Sequence, residues 1–270
     1  MLRYLDMFIR ELKNRNYSLT TIKIYGNKIK QYFNFYKQNK MILKDNPLKD
    51  KISIFIEKQN GYVSRRQAYS AIKLFFKYVL KRDCPYFLDK VKKRIRLPST
   101  LSKDEILKIL SEIKNSTHYL IIAMLYGSGL RVSEVTGLKA GDIDLTGLTV
   151  TVKNAKGHKD RITILSPKLR QGLQNIIKNK KSNDFLFTTI SNKKYSTRTV
   201  QLIFKRALIK SKINKNATCH TLRHSFATAL LFNKIDIKTI KNLLGHKSIK
   251  TTMVYLHIVD IKKAKVQSPL

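Results

Sequence analysis

Two cysteines, Cys84 and Cys219, are all the thiol chemistry this 270-residue chain offers, and neither belongs to a C-x-x-C pair. That excludes a zinc ribbon and a dithiol redox motif, and it agrees with a reducing compartment. No uninterrupted apolar run reaches the ~20 residues that a membrane span needs. The opening residues, MLRYLDMFIRELKN, interrupt their apolar positions with Asp6, Arg10 and Glu11, so no secretory leader is expected. These absences suit a cytoplasmic protein. There is no G-x-x-x-x-G-K-[ST] phosphate loop and no internal repeat. Scarcest of all is negative charge: 17 Asp+Glu face 55 Lys+Arg, a formal net charge of +38. Self-repulsion of that size points to a polyanionic partner, and nucleic acid leads because each neutralised phosphate releases counterions. A lysine-rich surface set by genomic composition is the competing explanation. Residues 1–96 carry 24 basic and 7 acidic side chains and the remainder 31 and 10, so a polyanion is expected to touch both halves.

Hydrophobic residues make up 43% of the chain, enough for one large or two modest domains. The first part reads as a small helical bundle. Leu2, Leu5, Phe8, Ile9 and Leu12 recur at helical spacing. Ser18 is a candidate N-cap for a second helix with Ile22, Tyr25, Ile29, Tyr32, Phe33 and Tyr36 on one side. A third helix is expected near Lys49 to Lys58, and a fourth after Gly61 with Ala68, Ala71, Ile72, Phe75, Phe76 and Val79. Aromatics at that spacing are read as core rather than base-stacking platforms. Residues 90–100, ending KRIRLPST, form a basic linker, giving a division into 1–89, 90–100 and 101–270. The later part opens on a capping box, Ser102 with Glu105, then an apolar helix around Tyr119 to Leu125. Residues 148–165 alternate as a β-hairpin, Pro167 starts another helix, and the pattern is helical from Thr197 almost to the end. The fold class expected is mainly α with a small β-hairpin or sheet.

Three segments carry chemistry: GSGLRVSE at 127–134, HTLRH at 220–224 and LLGHKSIKTTMVYLH at 243–257. Cleaving a DNA phosphodiester with a side chain needs a nucleophile, positive charge on the non-bridging oxygens, a proton acceptor and a proton donor. Arg131 and Arg223 suit the phosphate clamp, because a guanidinium presents a planar fork of donors that stays charged. Taken singly, each is as well explained by an ordinary salt bridge. Glu134, three residues past Arg131, is placed to orient that arginine or His220, or else is a solvated carboxylate. His220 and His224, four apart, also suit a metal; lacking the Glu of H-E-x-x-H and a third ligand, no metal is expected. His224 is assigned to packing within its helix.

Together with the hairpin segment AKGHKDR at 155–161, these segments closely resemble the catalytic signature of the tyrosine recombinases, also called phage integrases, over nearly the whole second half. The resemblance implies that Tyr255, nine residues after His246, is the nucleophile, with Tyr126 and Tyr195 as competitors without a motif. It implies that His220 accepts the phenolic proton, that His246 hydrogen-bonds a non-bridging oxygen, and that Lys156 is the general acid. Lys153 and Lys159 flank Lys156, so that choice rests on the K-G-x-K-x-R pattern; Ala155 stands where a glycine is frequent in the family. Lys159 and Arg161 of the hairpin, and Lys92, Lys93, Arg94 and Arg96 of the linker, are expected at the DNA backbone. The first part then corresponds to a SAM-like, core-binding domain that closes a clamp on double-stranded DNA.

The reaction implied passes through a 3′-phosphotyrosine and a Holliday junction. It uses four protomers on two duplexes, with a second recombinase as a possible partner, and no cofactor, metal or membrane. The short length is Xer-like, and the protein would sit with the nucleoid. Residues 259–270 are either a segment donated to a neighbouring protomer or a loose basic tail. Three readings from other classes stand beside this one: a type IB topoisomerase, a DNA-binding protein without catalysis, and an RNA-binding protein.

Overall fold

The computed structural model describes residues 2–39, 44–88, 99–155, 159–246 and 248–263, with side chains at all of these but 154, 155, 159 and 257–263. The chain is mainly helical with one small sheet, the class its periodicity predicts. It divides into two compact units, Met1–Arg94 and Ile95–Leu270.

In the first unit, α1 (Leu2–Asn14), α2 (Leu19–Gln38), α3 (Leu48–Glu57) and α4 (Gly61–Phe75) follow the apolar spacing, and α4 runs on as a π-helical turn, Phe76–Leu80. Ser18 caps α2, its hydroxyl accepting the Thr21 N–H at 3.2 Å. The aromatic rings are core. Phe75 meets Phe8 edge-on at 5.7 Å and Phe33 at 5.5 Å, and Tyr32 meets Phe55 at 5.2 Å. Each such pair contributes about 0.5–1.5 kcal/mol beyond its buried area.

The second unit opens with α5 (Lys103–Ser111), whose capping box closes both ways: Ser102 Oγ accepts the Glu105 N–H, and Glu105 accepts the Ser102 N–H at 2.7 Å. Next, α6 (Ser116–Gly127) buries every residue from Leu120 to Leu125, which is why it is apolar on all sides. The short α7 spans Val132–Val135. A three-stranded antiparallel sheet follows, β1 (Ile143–Asp144), β2 (Thr149–Ala155) and β3 (Lys159–Ile164), in the order β1-β2-β3. The hairpin is the one its alternation predicts. The edge strand β1 is an addition, since two residues are too few to show a period. A 3₁₀ turn at Pro167–Leu169 leads into α8 (Arg170–Ile177). After it come α9 (Thr197–Lys210), α10 (Cys219–Phe232), α11 (Ile237–Leu244) and α12 (Lys250–Lys263).

Two glycines fix the turns that carry the arginine and histidine motifs. Gly129 has φ +60°, and a Cβ there would lie 2.4 Å from the Phe226 ring of α10. Gly245 ends α11 at φ +64° and turns the chain into His246. Gly129→Ala is expected to lower unfolding free energy by about 2–4 kcal/mol, the left-handed backbone and the steric overlap both contributing. Urea unfolding monitored by circular dichroism measures it.

Candidate active site

One carboxylate organises the site. Arg131 is the N-cap residue of α7; its backbone N–H donates to Glu134 Oε2 at 2.7 Å and its Nη1 to Glu134 Oε1 at 2.6 Å. Arg161 of β3 binds the same carboxylate through two nitrogens, Nη1 and Nη2, each at 2.8 Å, and its Nε donates to the Leu243 carbonyl at 2.9 Å. Arg223 of α10 donates from Nη1 to the Gly129 carbonyl at 2.6 Å and from Nη2 to the Leu244 carbonyl. Its Nη1 is also 3.8 Å from Glu134. Burial would raise the Glu134 pKa, but hydrogen bonding and charge from Arg161, then Arg131, outweigh it and hold the group at about 2. Burial and Arg131 push Arg223 down to about 9, so it remains a cation at neutral pH. Three guanidinium charges against one carboxylate leave two positive charges in a largely desolvated place. An anion with several oxygens satisfies them.

The nucleophile candidate lies on α12. Tyr255 is 2% exposed, packed among Phe226, Ala227, Leu231, Ile240 and Leu244. Burial raises its phenol pKa, while the charges of Arg223 and Arg131 pull it back down. Its hydroxyl lies 2.8 Å from His224 Nδ1. His220 stands one helical turn before His224, the two rings 4.4 Å apart and nearly perpendicular. Burial lowers the pKa of both, and His224, which also feels His220 and Arg223, falls to about 4. His246 holds Thr252 Oγ1 at 2.9 Å through Nδ1. Burial first, then Arg223, Arg131 and Arg161, bring His246 to about 4, so it is neutral near pH 7. An open groove of about 870 Å³ runs past Arg131 and His220, with Lys205 and Lys215 on its walls.

Arg131, Glu134, Arg223, His220, His246 and Tyr255 are thus brought together. Two residues differ from expectation. Arg161, expected at the DNA backbone, is an internal ion pair: its side chain is 7% exposed and its donors go to Glu134 and Leu243. His224, assigned to helix packing, is the residue that touches the Tyr255 hydroxyl, with the His220 ring 4.4 Å from its own. The signal for His224 was the i, i+4 spacing, which puts both rings on one helix face. Thr252, wholly buried beneath His246, had no sequence signal. Lys156, Lys92, Lys93, Arg94 and Arg96 lie outside the described residues, as does the side chain of Lys159. The flanking lysine of β2 is described: Lys153 Nζ pairs with Asp142 Oδ1 at 2.8 Å, and that hydrogen bond raises its pKa. Among the described residues, no group of three or more His, Cys, Asp and Glu side chains is placed to hold a metal ion. Cys219 is buried, and burial raises its thiol to about 12, which leaves it unreactive.

The profile of the phage integrase family matches residues 99–261, and that of the phage integrase N-terminal SAM-like domain matches residues 4–86. A tyrosine recombinase of Pseudothermotoga lettingae is 35% identical over 275 residues, covering 95% of this chain and 92% of its own. An integrase/recombinase of Escherichia coli is 31% identical over 314 residues, covering 99% of this chain and 93% of its own. Among solved structures, the XerH site-specific recombinase bound to difH substrate in a pre-cleavage complex aligns with a TM-score of 0.74. That match has 22% identity and covers 95% of this chain and 82% of XerH, a likeness of fold.

Proposed function

This chain belongs to the phage integrase family of tyrosine recombinases, and from that membership we propose how its individual groups carry out the reaction. It is a site-specific recombination enzyme that breaks and rejoins DNA strands. Tyr255 Oη bonds to the scissile phosphorus as the bond from phosphorus to the 5′ oxygen breaks, leaving a 3′-phosphotyrosine and a 5′-hydroxyl. Arg131 and Arg223 hold the non-bridging oxygens, with Glu134 fixing the first of them. His246, its Nδ1 occupied by Thr252, donates to the phosphate from Nε2. The phenolic proton goes to the histidine pair of α10. Lys156 protonates the departing 5′ oxygen; Lys153, paired with Asp142, is the poorer acid. The phosphotyrosyl bond keeps the energy of the broken phosphodiester, so a partner strand's 5′-hydroxyl reverses the step without a nucleotide.

At the level of the assembly, residues 1–89 bind the core of the DNA site and 101–270 catalyse. The strap at 90–100 sets Lys92, Lys93, Arg94 and Arg96 against phosphates, and Lys159 does so from the hairpin. Four protomers on two duplexes exchange strands through a Holliday junction, in association with the nucleoid.

The observation that carries this reading is that one carboxylate, Glu134, holds Arg131 and lies 3.8 Å from Arg223, whose own donors reach the carbonyls of Gly129 and Leu244, two residues from Arg131 and from His246. Donors aimed at developing phosphate charge are worth about 10²–10³ in rate each. The test incubates the protein with nicked duplexes bearing a randomised core, denatures in SDS, digests with protease and weighs the DNA-linked peptide. A 3′-phosphate on the peptide containing Tyr255 is the expected result. A different linked residue, or no adduct with any duplex of the pool, overturns it. Lys156→Ala is expected to slow adduct formation by about 10²–10⁴-fold on ordinary DNA. A substrate with sulfur at the bridging 5′ position, whose leaving group needs little protonation, is expected to restore most of that loss. Quench-flow kinetics on the two substrates decide it.

A further inference from the structure

His246 reaches the site at the end of a well-held segment. Arg161 Nε donates to the Leu243 carbonyl at 2.9 Å, Arg223 Nη2 donates to the Leu244 carbonyl, and Gly245 turns the chain at φ +64°. These contacts place the backbone but leave open which way the imidazole faces and which of its nitrogens holds the proton. Among the described residues, the ring's one hydrogen bond bears on both: Nδ1 lies 2.9 Å from Oγ1 of Thr252 on α12, a wholly buried side chain. On the reading that His246 donates to the scissile phosphate, we propose that Thr252 is the positioning residue that turns the His246 ring and keeps its proton on Nε2.

The placement of one proton decides whether the ring can bind the phosphate. Burial first, then Arg223, Arg131, Arg161 and His220, keep His246 neutral near pH 7, so it has a single proton for two nitrogens. With that proton on Nδ1, Thr252 Oγ1 would accept it, and the threonine's own hydrogen would lie in the interior without a partner among the described residues. Nε2 would then offer the phosphate a lone pair. With the proton on Nε2, the hydroxyl donates to Nδ1 and nothing is stranded. The cost of stranding a buried donor favours this second arrangement by about tenfold to a hundredfold.

The same bond fixes the ring's orientation. Turning the imidazole over would set Cδ2, which accepts nothing, against the hydroxyl and put Cε1 where Nε2 had been. The threonine's backbone N–H is already taken by the Ile249 carbonyl at 2.8 Å, so its hydroxyl is what answers to His246. Thr252 stands one helical turn before Tyr255 on α12. The ring that binds the phosphate therefore takes its bearing from the helix that carries the nucleophile.

Two measurements test this. In the DNA-free protein, ¹⁵N-histidine NMR at pH 7 is expected to place the His246 proton on Nε2, with the Nδ1 line shifted by the hydrogen bond it accepts. Thr252→Val keeps the shape and loses the hydroxyl, and that shift is expected to vanish. A wild-type proton on Nδ1 overturns the proposal. For the reaction, the probe is the set of nicked duplexes that wild type joins covalently, followed through single turnovers at saturating DNA. Thr252→Val is expected to bind them within about threefold of wild type and to cleave about 10–10²-fold more slowly, a loss in the chemical step. Thr252→Ser, which keeps the hydroxyl, is expected to recover most of that loss. In a His246→Gln background, Thr252→Val is expected to cost less than about threefold more, because its effect passes through the ring. An equal loss with and without His246, or a Thr252→Val as fast as wild type, overturns the proposal. His246→Gln alone separates the two failures: normal cleavage there defeats the phosphate-donor reading and Thr252 with it, whereas slow cleavage there beside a normal Thr252→Val defeats only the role of Thr252.

Discussion

Tyr255→Phe is expected to bind DNA about as tightly as wild type and to form no SDS-stable adduct, a loss of at least about 10⁴-fold in cleavage. The substitution is unusually clean here. The ring fills a closed apolar pocket and is 2% exposed, and phenylalanine keeps that packing. The hydroxyl hydrogen-bonds His224, so its removal costs about 0.5–1.5 kcal/mol of stability and leaves the arginines in place. Affinity, set by phosphate contacts and salt, should therefore stay within about threefold. Gel shift at fixed ionic strength reads binding, and SDS gels read the covalent step. An adduct that persists moves the role to another tyrosine. The two named competitors are poorly placed for it: Tyr126 is half-buried, Tyr195 is 9% exposed, and burial raises the phenol pKa of both.

Glu134→Gln is expected to abolish cleavage and to remove about 3–5 kcal/mol of unfolding free energy, the usual result of stranding a buried charge. The amide matches the carboxylate in shape but cannot balance Arg161, whose side chain is 7% exposed, nor hold Arg131 at 2.6 Å with the same strength. The pH dependence supplies a second measure. The Glu134 pKa is about 2 in the folded chain and 4.5 for an ordinary glutamate. A depressed carboxylate stabilises the fold fully above its unfolded pKa and loses that contribution as pH falls through the folded value. The difference corresponds to about 3 kcal/mol at pH 7, in line with the mutational figure. Urea unfolding is expected to show a wide gap between wild type and Glu134→Gln at pH 7 that narrows steadily from about pH 4.5 down to pH 2. A gap constant over that window would mean that the carboxylate's charge is not what stabilises the fold.

Most of the fold was legible because its local rules agree with its tertiary structure. Ser18 and Ser102 cap the helices their positions predict, and the apolar spacing of α1 to α4 became the core of the first unit. The hairpin strand β3 shows where legibility ended. Its alternation marks a strand without saying which face is buried, and the two isoleucines, Ile162 and Ile164, are 61% and 41% exposed. Arg161 and Thr163 face in instead. Arg161 meets Glu134, and Thr163 donates to the Ser128 carbonyl at 2.9 Å. Hydrophobic pattern ranks residues by transfer from water, and it has no way to foresee that a carboxylate from another element waits to pair with a buried guanidinium. The same blindness sent Arg161 to the DNA. His224 was missed for a different reason: its partner is 31 residues away in the chain, and only the packing of α10 against α12 makes them neighbours.

The Glu134 cluster also has a hereditary consequence. Its charges come from α7, β3 and α10, and Arg161 and Arg223 donate further to the successive carbonyls of Leu243 and Leu244 at the end of α11. Changing any one member alone leaves either an unbalanced interior charge or an unmatched helix end. Viable descendants of this chain must therefore keep Arg131, Glu134, Arg161 and Arg223 as one allele, or replace them in concert. Among diverged copies, these four positions should drift together or not at all, while Ile162 and Ile164 between them vary at will.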